Sequence, residues 1–218
     1  MEAQPIAETA IAGADYAAGD LKARAQKAAA IAAAHAPAVD AAARFPAEAF
    51  EAIKAQRLLG IMVPAVFGGE GARISEVADV CYLLGQSCAS SGMIYAMHQI
   101  KVACVSRHMG ESAPLQRLLR ALCAEQLLLA SSTTEGQGGG NIRSSEAPIE
   151  HHEGGRISLE RRASVISYGA YADGIVTTAR RAADAAATDQ VLVALLKSDY
   201  TLSRLQGWDA LGMRGTCS

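Results

Sequence analysis

Aromatic side chains are scarce in this chain of 218 residues: one Trp, three Phe and six Tyr, 5% of the total. So few rings exclude a stacking platform for single-stranded nucleic acid. Charge is thin as well, at 19% of residues and a formal net charge of −2, with acids and bases interspersed. There is no basic patch to follow a phosphate backbone and no acidic tail. No C-x-x-C pair occurs. The five cysteines, Cys81, Cys88, Cys104, Cys123 and Cys217, are odd in number, and four lie in apolar, helix-like sequence. They read as reduced, buried thiols, and a cytoplasmic protein is expected. No apolar run is long enough to span a bilayer. Residues 1–16 lack a basic n-region and an apolar h-region, so no signal peptide is expected there. No internal repeat is visible, and the alanine-rich stretches 28–34 and 182–187 are short. What is present is ample apolar material, 50% of residues, enough for a real core in one or two domains.

From residue 15 to about 125 the sequence is rich in Ala, Leu, Lys, Arg, Gln and Glu, all good helix formers. Asp15 can cap a first helix running through Ile31, with Pro37 bending or ending it. Pro46 suits the first position of a second helix, which carries Phe50, Ile53 and Leu58 and stops at Gly60. Val63–Pro64 and residues 67–71 read as an extended piece and a loop. Ser75 caps a third helix with Val77, Val80, Cys81, Leu84 and Cys88 on its apolar face. Ser90, Ser91 and Gly92 break the pattern. A fourth helix, 93–108, is apolar nearly all round, as a central buried helix should be. Gly110 stops it. Ser112 and Pro114 open a fifth, with Leu115, Leu118, Leu119 and Leu122 facing inward.

Past residue 125 the pattern changes. A strand-like run begins at 127–129, and residues 149–159 read as a hairpin around Glu153, Gly154 and Gly155. Residues 163–167, 174–179 and 191–196 are further strand candidates, rich in β-branched side chains. Helices first and strands second predict an α+β chain. The expected division is an all-helical domain over 1–125 and a β-barrel-like domain over 126–218, incomplete at its C-terminal end. A sheet with so few strands leaves edges that other structure must cover.

The stretch most suggestive of chemistry is 131–141, where helical sequence gives way to strands. It combines the hydroxyls of Ser131, Ser132, Thr133 and Thr134 with Glu135 and three consecutive glycines, 138–140. Glycine permits close approach of backbone to a ligand, and successive amides in such a turn can cradle an anion or a polar ring edge. The same composition also serves a plain connector. Other chemistry-bearing residues have simple structural readings. His151 and His152 are adjacent in a strand and point to opposite faces, so they form no metal pair. No metal site is expected. His98, beside Met93, Met97 and Ile100, reads as core packing or as the wall of a pocket. Glu135 reads as a turn anchor or, on composition, a general base. Arg161–Arg162 and Arg180–Arg181 read as solvated strand ends that could serve a phosphate. Cys217 reads as an inert thiol.

Taken in order, several segments resemble the acyl-CoA dehydrogenase family. Leu59–Gly60, Val63–Pro64 and Gly68–Gly69–Glu70–Gly71 resemble the leucine–glycine, Val-Pro and Gly-Gly-x-Gly run of its helical N-terminal domain. Thr134 to Asn141 is similar to its Thr-Glu-Pro-x-Ala-Gly-Ser-Asp turn. Val165–Ile166–Ser167–Tyr168–Gly169, then Ala172–Asp173, resembles its Trp-Ile-Thr/Ser-Asn-Gly segment. Leu211–Gly212–Met213–Arg214–Gly215–Thr216 resembles a further signature. The resemblance implies a flavoprotein with FAD at the β domain, bound by Ser131, Thr133, Thr134, Gly139, Gly140, Val165, Ile166 and Ser167. It implies a substrate pocket touched by Gly140, Met93, Met97 and His98. It also implies α,β-dehydrogenation of an acyl-CoA thioester, a part in fatty acid metabolism, and a homo-oligomer. Electrons would leave to an electron-transfer flavoprotein or to oxygen, and neither nucleic acid nor membrane is expected as a partner. The family's catalytic base is a glutamate on a C-terminal helical domain that no residue of this chain matches.

Three departures bear on this reading. Val165 stands where the family has Trp, which removes an aromatic cover from the flavin. Gly140 stands for a Ser, which removes a hydroxyl. Gly136 and Asn141 stand for Pro and Asp, which loosens the turn and removes a charge. A flavin-dependent monooxygenase on the same fold tolerates such changes and is the alternative enzyme reading. A flavin-free assembly module is the alternative from another class.

Overall fold

The computed structural model describes residues 20–135, 141–203 and 207–217. The helical half holds five helices: α1 (Leu21–Ala41), α2 (Ala47–Ala55), α3 (Ile74–Ser87), α4 (Ala89–His108) and α5 (Ala113–Glu125). α1 buries Ala25, Ala28, Ala29 and Ala32, a spacing that forms one helical stripe of small side chains. Small residues there let α2 and α3 lie close. α3 and α4 approach closely too: a Cβ on Gly92 would come within 2.7 Å of the Gly85 Cα. The main core joins Phe50, Ile53, Leu58, Leu59, Val80, Leu84, Ile94 and Tyr95 to Leu128, Ala130 and Ile175 of the sheet region.

The strands that follow are β1 (Leu129–Ser132), β2 (Glu150–His151), β3 (Ile157–Ser158), β4 (Gly174–Arg180) and β5 (Gln190–Leu196). β1, β4 and β5 form one sheet in that order, with β1 parallel and β5 antiparallel to β4. β2 and β3 make the short hairpin around residues 153–155. The architecture is thus α+β, helices followed by a small sheet region.

Several boundaries differ from those read in the sequence. Asp15 lies outside the described residues, and Asp20 caps α1, its carboxylate accepting from Lys22 N at 3.1 Å. α1 passes Ile31 and carries Pro37 inside it. Pro46 is the N-cap of α2 rather than its first residue, and α2 ends at Ala55 rather than Gly60, with Arg57 at a positive φ of 53°. Ser75 does not cap α3. Glu76 closes that end by accepting from Arg73 N at 2.8 Å. Ser90, Ser91 and Gly92 do not interrupt the helices: they belong to the first turn of α4, and only Cys88 separates it from α3. α4 is also less uniformly buried than its composition implies, with Met93 and Ile100 exposed. Residues 163–167 form no strand.

Residues 56–64 run through the interior without helical or strand hydrogen bonding, so their backbone needs other partners. α4 supplies them. Tyr95 Oη donates to Leu58 O at 2.9 Å, Gln99 Nε2 reaches both Leu58 O and Leu59 O at 3.1 Å, and His98 Nε2 lies 2.9 Å from Leu59 O. Gln126 adds an acceptor for Leu59 N at 3.1 Å. The polar residues of the central helix are there to satisfy an irregular segment. The glycine loop that follows is held by Arg24, whose guanidinium meets Glu70 at 2.6 Å.

Candidate functional site

The site is built where α4 meets the end of β1. His98 makes the join. It is fully buried, and its Nδ1 accepts from Leu129 N at 3.0 Å while its other nitrogen faces Leu59 O. Because Nδ1 accepts, Nε2 carries the hydrogen and the ring is neutral. Burial pushes its pKa down to about 4. Both ring nitrogens are committed to backbone, so His98 supports the site from behind and offers no nitrogen to a ligand. On α4 Met93 is exposed, while Met97, one turn on, is half-buried and packs against the main core. The structure therefore commits His98 to backbone and Met97 to the core, and leaves Met93 exposed.

Beyond β1 the chain presents Thr133, Thr134 and Glu135. Thr134 Oγ1 donates to Val165 O at 3.3 Å, so two segments thirty-one residues apart meet here. Ser131, Thr133, Val165 and Ile166 are half-buried around this contact, and Ser167 is buried. Gly139 and Gly140 lie outside the described residues. Glu135 anchors the turn: its carboxylate accepts from Glu146 N at 2.8 Å, Ala147 N at 3.1 Å and Ser145 Oγ at 3.3 Å. Asn141 closes the other side, its amide donating to Ser144 Oγ at 2.9 Å.

Arg161 corrects the reading of its pair as solvated. Its side chain is 7% exposed and meets Glu135 at 3.1 Å. It also donates to Ser145 Oγ at 3.4 Å and to Thr178 O. Among the described residues its Nε and Nη2 are buried without a hydrogen-bond partner, and so is Ser132 Oγ. Arg162, by contrast, is exposed. Lys101, one turn beyond Met97 and His98 on α4, was not singled out in the sequence. It is 7% exposed, and burial lowers its pKa. Tyr168 lies in the segment 165–169 named above, but no role was read for it there. It is buried at a positive φ of 45°, and its hydroxyl donates to Leu129 O at 3.0 Å. Burial raises its pKa far out of the working range. Spacing alone could not flag these residues, because their partners lie far along the chain.

Ala172–Asp173 and the last described segment are structural. Asp173 Oδ2 accepts from Leu128 N at 2.8 Å and pairs with Lys54 of α2 at 3.1 Å. Thr216 O accepts from Tyr168 N at 2.7 Å, and Arg214 Nη1 donates to Asp40 O at 2.8 Å. A groove of about 360 Å³ lies among residues 36–40, 85–90 and 211–212, and its lining includes none of the expected cofactor residues. Among the described residues there is no grouping of His, Cys, Asp and Glu fit for a metal, and no helix is long and apolar enough to cross a membrane. All five cysteines are free, and burial raises the Cys123 thiol to about 11.

A helical bundle leading into this small sheet, with a hydroxyl turn laid against a second loop at the junction, defines the acyl-CoA dehydrogenase-like fold. Residues 20–126 match the family described as acyl-CoA dehydrogenase, N-terminal domain. The chain is 27% identical over 181 residues to L-evernosamine nitrososynthase from Micromonospora sp. (strain ATCC 39149 / NRRL 15099 / SCC 1413), covering 81% of this chain and 42% of that protein. It is 30% identical over 90 residues to 3-sulfinopropanoyl-CoA desulfinase from Paraburkholderia xenovorans (strain LB400), 41% of this chain and 23% of that protein. Among solved structures, FMN-bound TdsC from Paenibacillus sp. A11-2, a dibenzothiophene monooxygenase, superposes with a TM-score of 0.80 at 19% identity, covering 92% of this chain and 50% of that one. The chain spans less than half the length of the curated relatives it matches.

Proposed function

We propose that this chain is the helical and sheet portion of a flavin-dependent monooxygenase that uses oxygen to oxidise a small organic molecule. The observation that carries the reading is the apposition of Thr134 and Val165 at the end of β1. It puts an Oγ hydrogen-bonding group and a half-buried apolar residue side by side, as one edge of a flavin ring requires. The residues present fit that group. Ser132 Oγ is a buried hydroxyl without a partner among the described residues, and Val165, read as part of the flavin face, is half-buried. Thr133, Thr134 and Ser167 would hold the polar edge of the ring, and Val165 and Ile166 would cover part of its face. Met97 and Met93 would bound the space on the α4 side. A bound flavin would supply the redox chemistry, and this chain's residues would position the ring and limit water. Two similarities favour oxygen as the acceptor: the nitrososynthase relative and the monooxygenase neighbour.

FAD-dependent dehydrogenation of an acyl-CoA thioester is the second reading, favoured by the family of residues 20–126 and by the acyl-CoA desulfinase relative. Flavin titration tests what both readings share. The purified chain is expected to take up FMN or FAD with a change in flavin absorbance and fluorescence. Thr134→Ala combined with Ser167→Ala should weaken uptake about tenfold or more, since each lost hydrogen bond costs on the order of 1 kcal/mol. No uptake of either flavin would overturn both. Oxygen consumption by the longer protein with reduced flavin, set against anaerobic reduction of the flavin by an acyl-CoA, decides between them.

A further inference from the structure

One guanidinium lies behind the contact on which the flavin edge depends. Thr134 Oγ1 reaches Val165 O at 3.3 Å, a single neutral hydrogen bond between half-buried residues. Such a bond is easily exchanged for one to water, so by itself it fixes the spacing of the two segments poorly. A second tie joins the same segments beside it. Glu135 follows Thr134 directly, and its carboxylate meets Nη1 of Arg161, on the other segment, at 3.1 Å. This tie is between charges and is sheltered from water, the Glu135 and Arg161 side chains being 12% and 7% exposed.

Arg161 also refers the turn to the sheet. Besides meeting Glu135, its Nη1 donates to Ser145 Oγ at 3.4 Å and to Thr178 O on β4. Thr178 O takes a further bond from Thr177 Oγ1 at 3.2 Å, and that hydroxyl also donates to Ser132 O at the end of β1. Glu135 carries the same frame into the next loop through Glu146 N and Ala147 N. Stability alone is a weak reason for this arrangement. Two buried charges lose their hydration, and among the described residues Arg161 Nε and Nη2 have no hydrogen-bond partner. What the group offers instead is fixed direction, because a planar guanidinium holds its donors in a rigid plane.

We propose that Arg161 is a positioning residue: through Glu135 it sets where Thr134 stands against Val165, and so the shape of the edge that takes the flavin. The proposal rests on the reading of that contact as the flavin edge. Among the described residues Arg161 bonds to Glu135, Ser145 and Thr178, and not to Thr134 or Val165. Its influence on them passes through Glu135 and through the chain between 161 and 165.

The test begins with the flavin-free 218-residue chain, in which the ¹³C shift of the Val165 carbonyl reports the bond from Thr134. Thr134→Ala marks the value reached when that bond is lost. Arg161→Met should move the signal most of the way to that value, with the amide signals of α1 and α3 in place as the check on folding. Arg161→Lys keeps the charge without the rigid plane. It should move the signal in the same direction, and it stands in if the methionine variant does not fold. A Val165 carbonyl that keeps its parent position in the folded variants overturns the proposal. The second arm titrates FMN. Arg161→Met should weaken uptake about tenfold and lose little more when Thr134→Ala is added, because residues that act through one contact are not additive. Losses that multiply in the double variant overturn the proposal. A Val165 signal that follows Arg161 in a chain taking up neither FMN nor FAD refutes the flavin reading and keeps the positioning role; flavin uptake with a Val165 signal indifferent to Arg161 does the reverse.

Discussion

His98 keeps both of its hydrogen bonds only as the neutral imidazole. A second ring proton would set an N–H against the Leu129 N–H, now 3.0 Å away. With a folded pKa near 4 and an unfolded value of about 6.5, the unfolded chain binds more protons between those limits. Stability from this residue is therefore complete above the unfolded pKa and lost as pH falls through the window to about 4. The full contribution is on the order of 3 kcal/mol. Urea unfolding of the parent and of His98→Gln at pH near 7.5 and near 4.5 checks the sign. The variant should be the less stable at the higher pH by about 1–3 kcal/mol, and it should lose less on acidification. The sequence placed His98 on an apolar helix but could not show this bonding, since its partners are 31 and 39 residues away. Arg161 was misread for the same reason. A charged residue in a polar loop reads as solvated until Glu135 and Thr178 are brought to it.

Helices and the longer strands were largely legible, because hydrophobic period and breaker residues are local signals. The errors cluster where tertiary contacts overrode them. α1 carries Pro37 because its alanine face is packed on both sides of that position, with Ala32 before it and Val39 after it buried. Residues 163–167 have β-branched composition, but that describes fit to a pleated surface rather than a pairing partner. Their backbone serves Thr134 instead. The glycine loop after α2 was read correctly as a loop, though not why it must be glycine. A Cβ on Gly69 would stand 2.0 Å from Val63 O, which is backbone and cannot step aside. Gly69→Ala should destabilise by about 2–3 kcal/mol or more. Gly85→Ala, with open space at its own Cβ, should change stability by no more than about 1 kcal/mol, a helix interior favouring Ala. Denaturant midpoints for the two variants test the contrast.

The two halves of the molecule share the main core, and a few specific polar ties add to it. Asp173 holds the start of β1 through Leu128 N and the end of α2 through Lys54. Asp173→Ala should cost about 1–3 kcal/mol by leaving the Leu128 N–H without that acceptor. Amide exchange should rise first in β1 and β4, ahead of α3 and α4. Retained protection in the strands would show that packing of Ile175 and Leu129 suffices without the tie. The order of motifs along the chain made this arrangement readable at the level of family, while the bonding of Tyr168 and the buried path of residues 56–64, though both touch motifs, could not be read from them. That path also has a kinetic consequence. Its carbonyls at Leu58 and Leu59 are served from positions 37 to 41 residues later in the chain. Until α4 has folded and docked, those groups can be satisfied only by water. The chain must therefore close that long loop before the segment can dry, so assembly of the helical half waits on its fourth helix and not on its first.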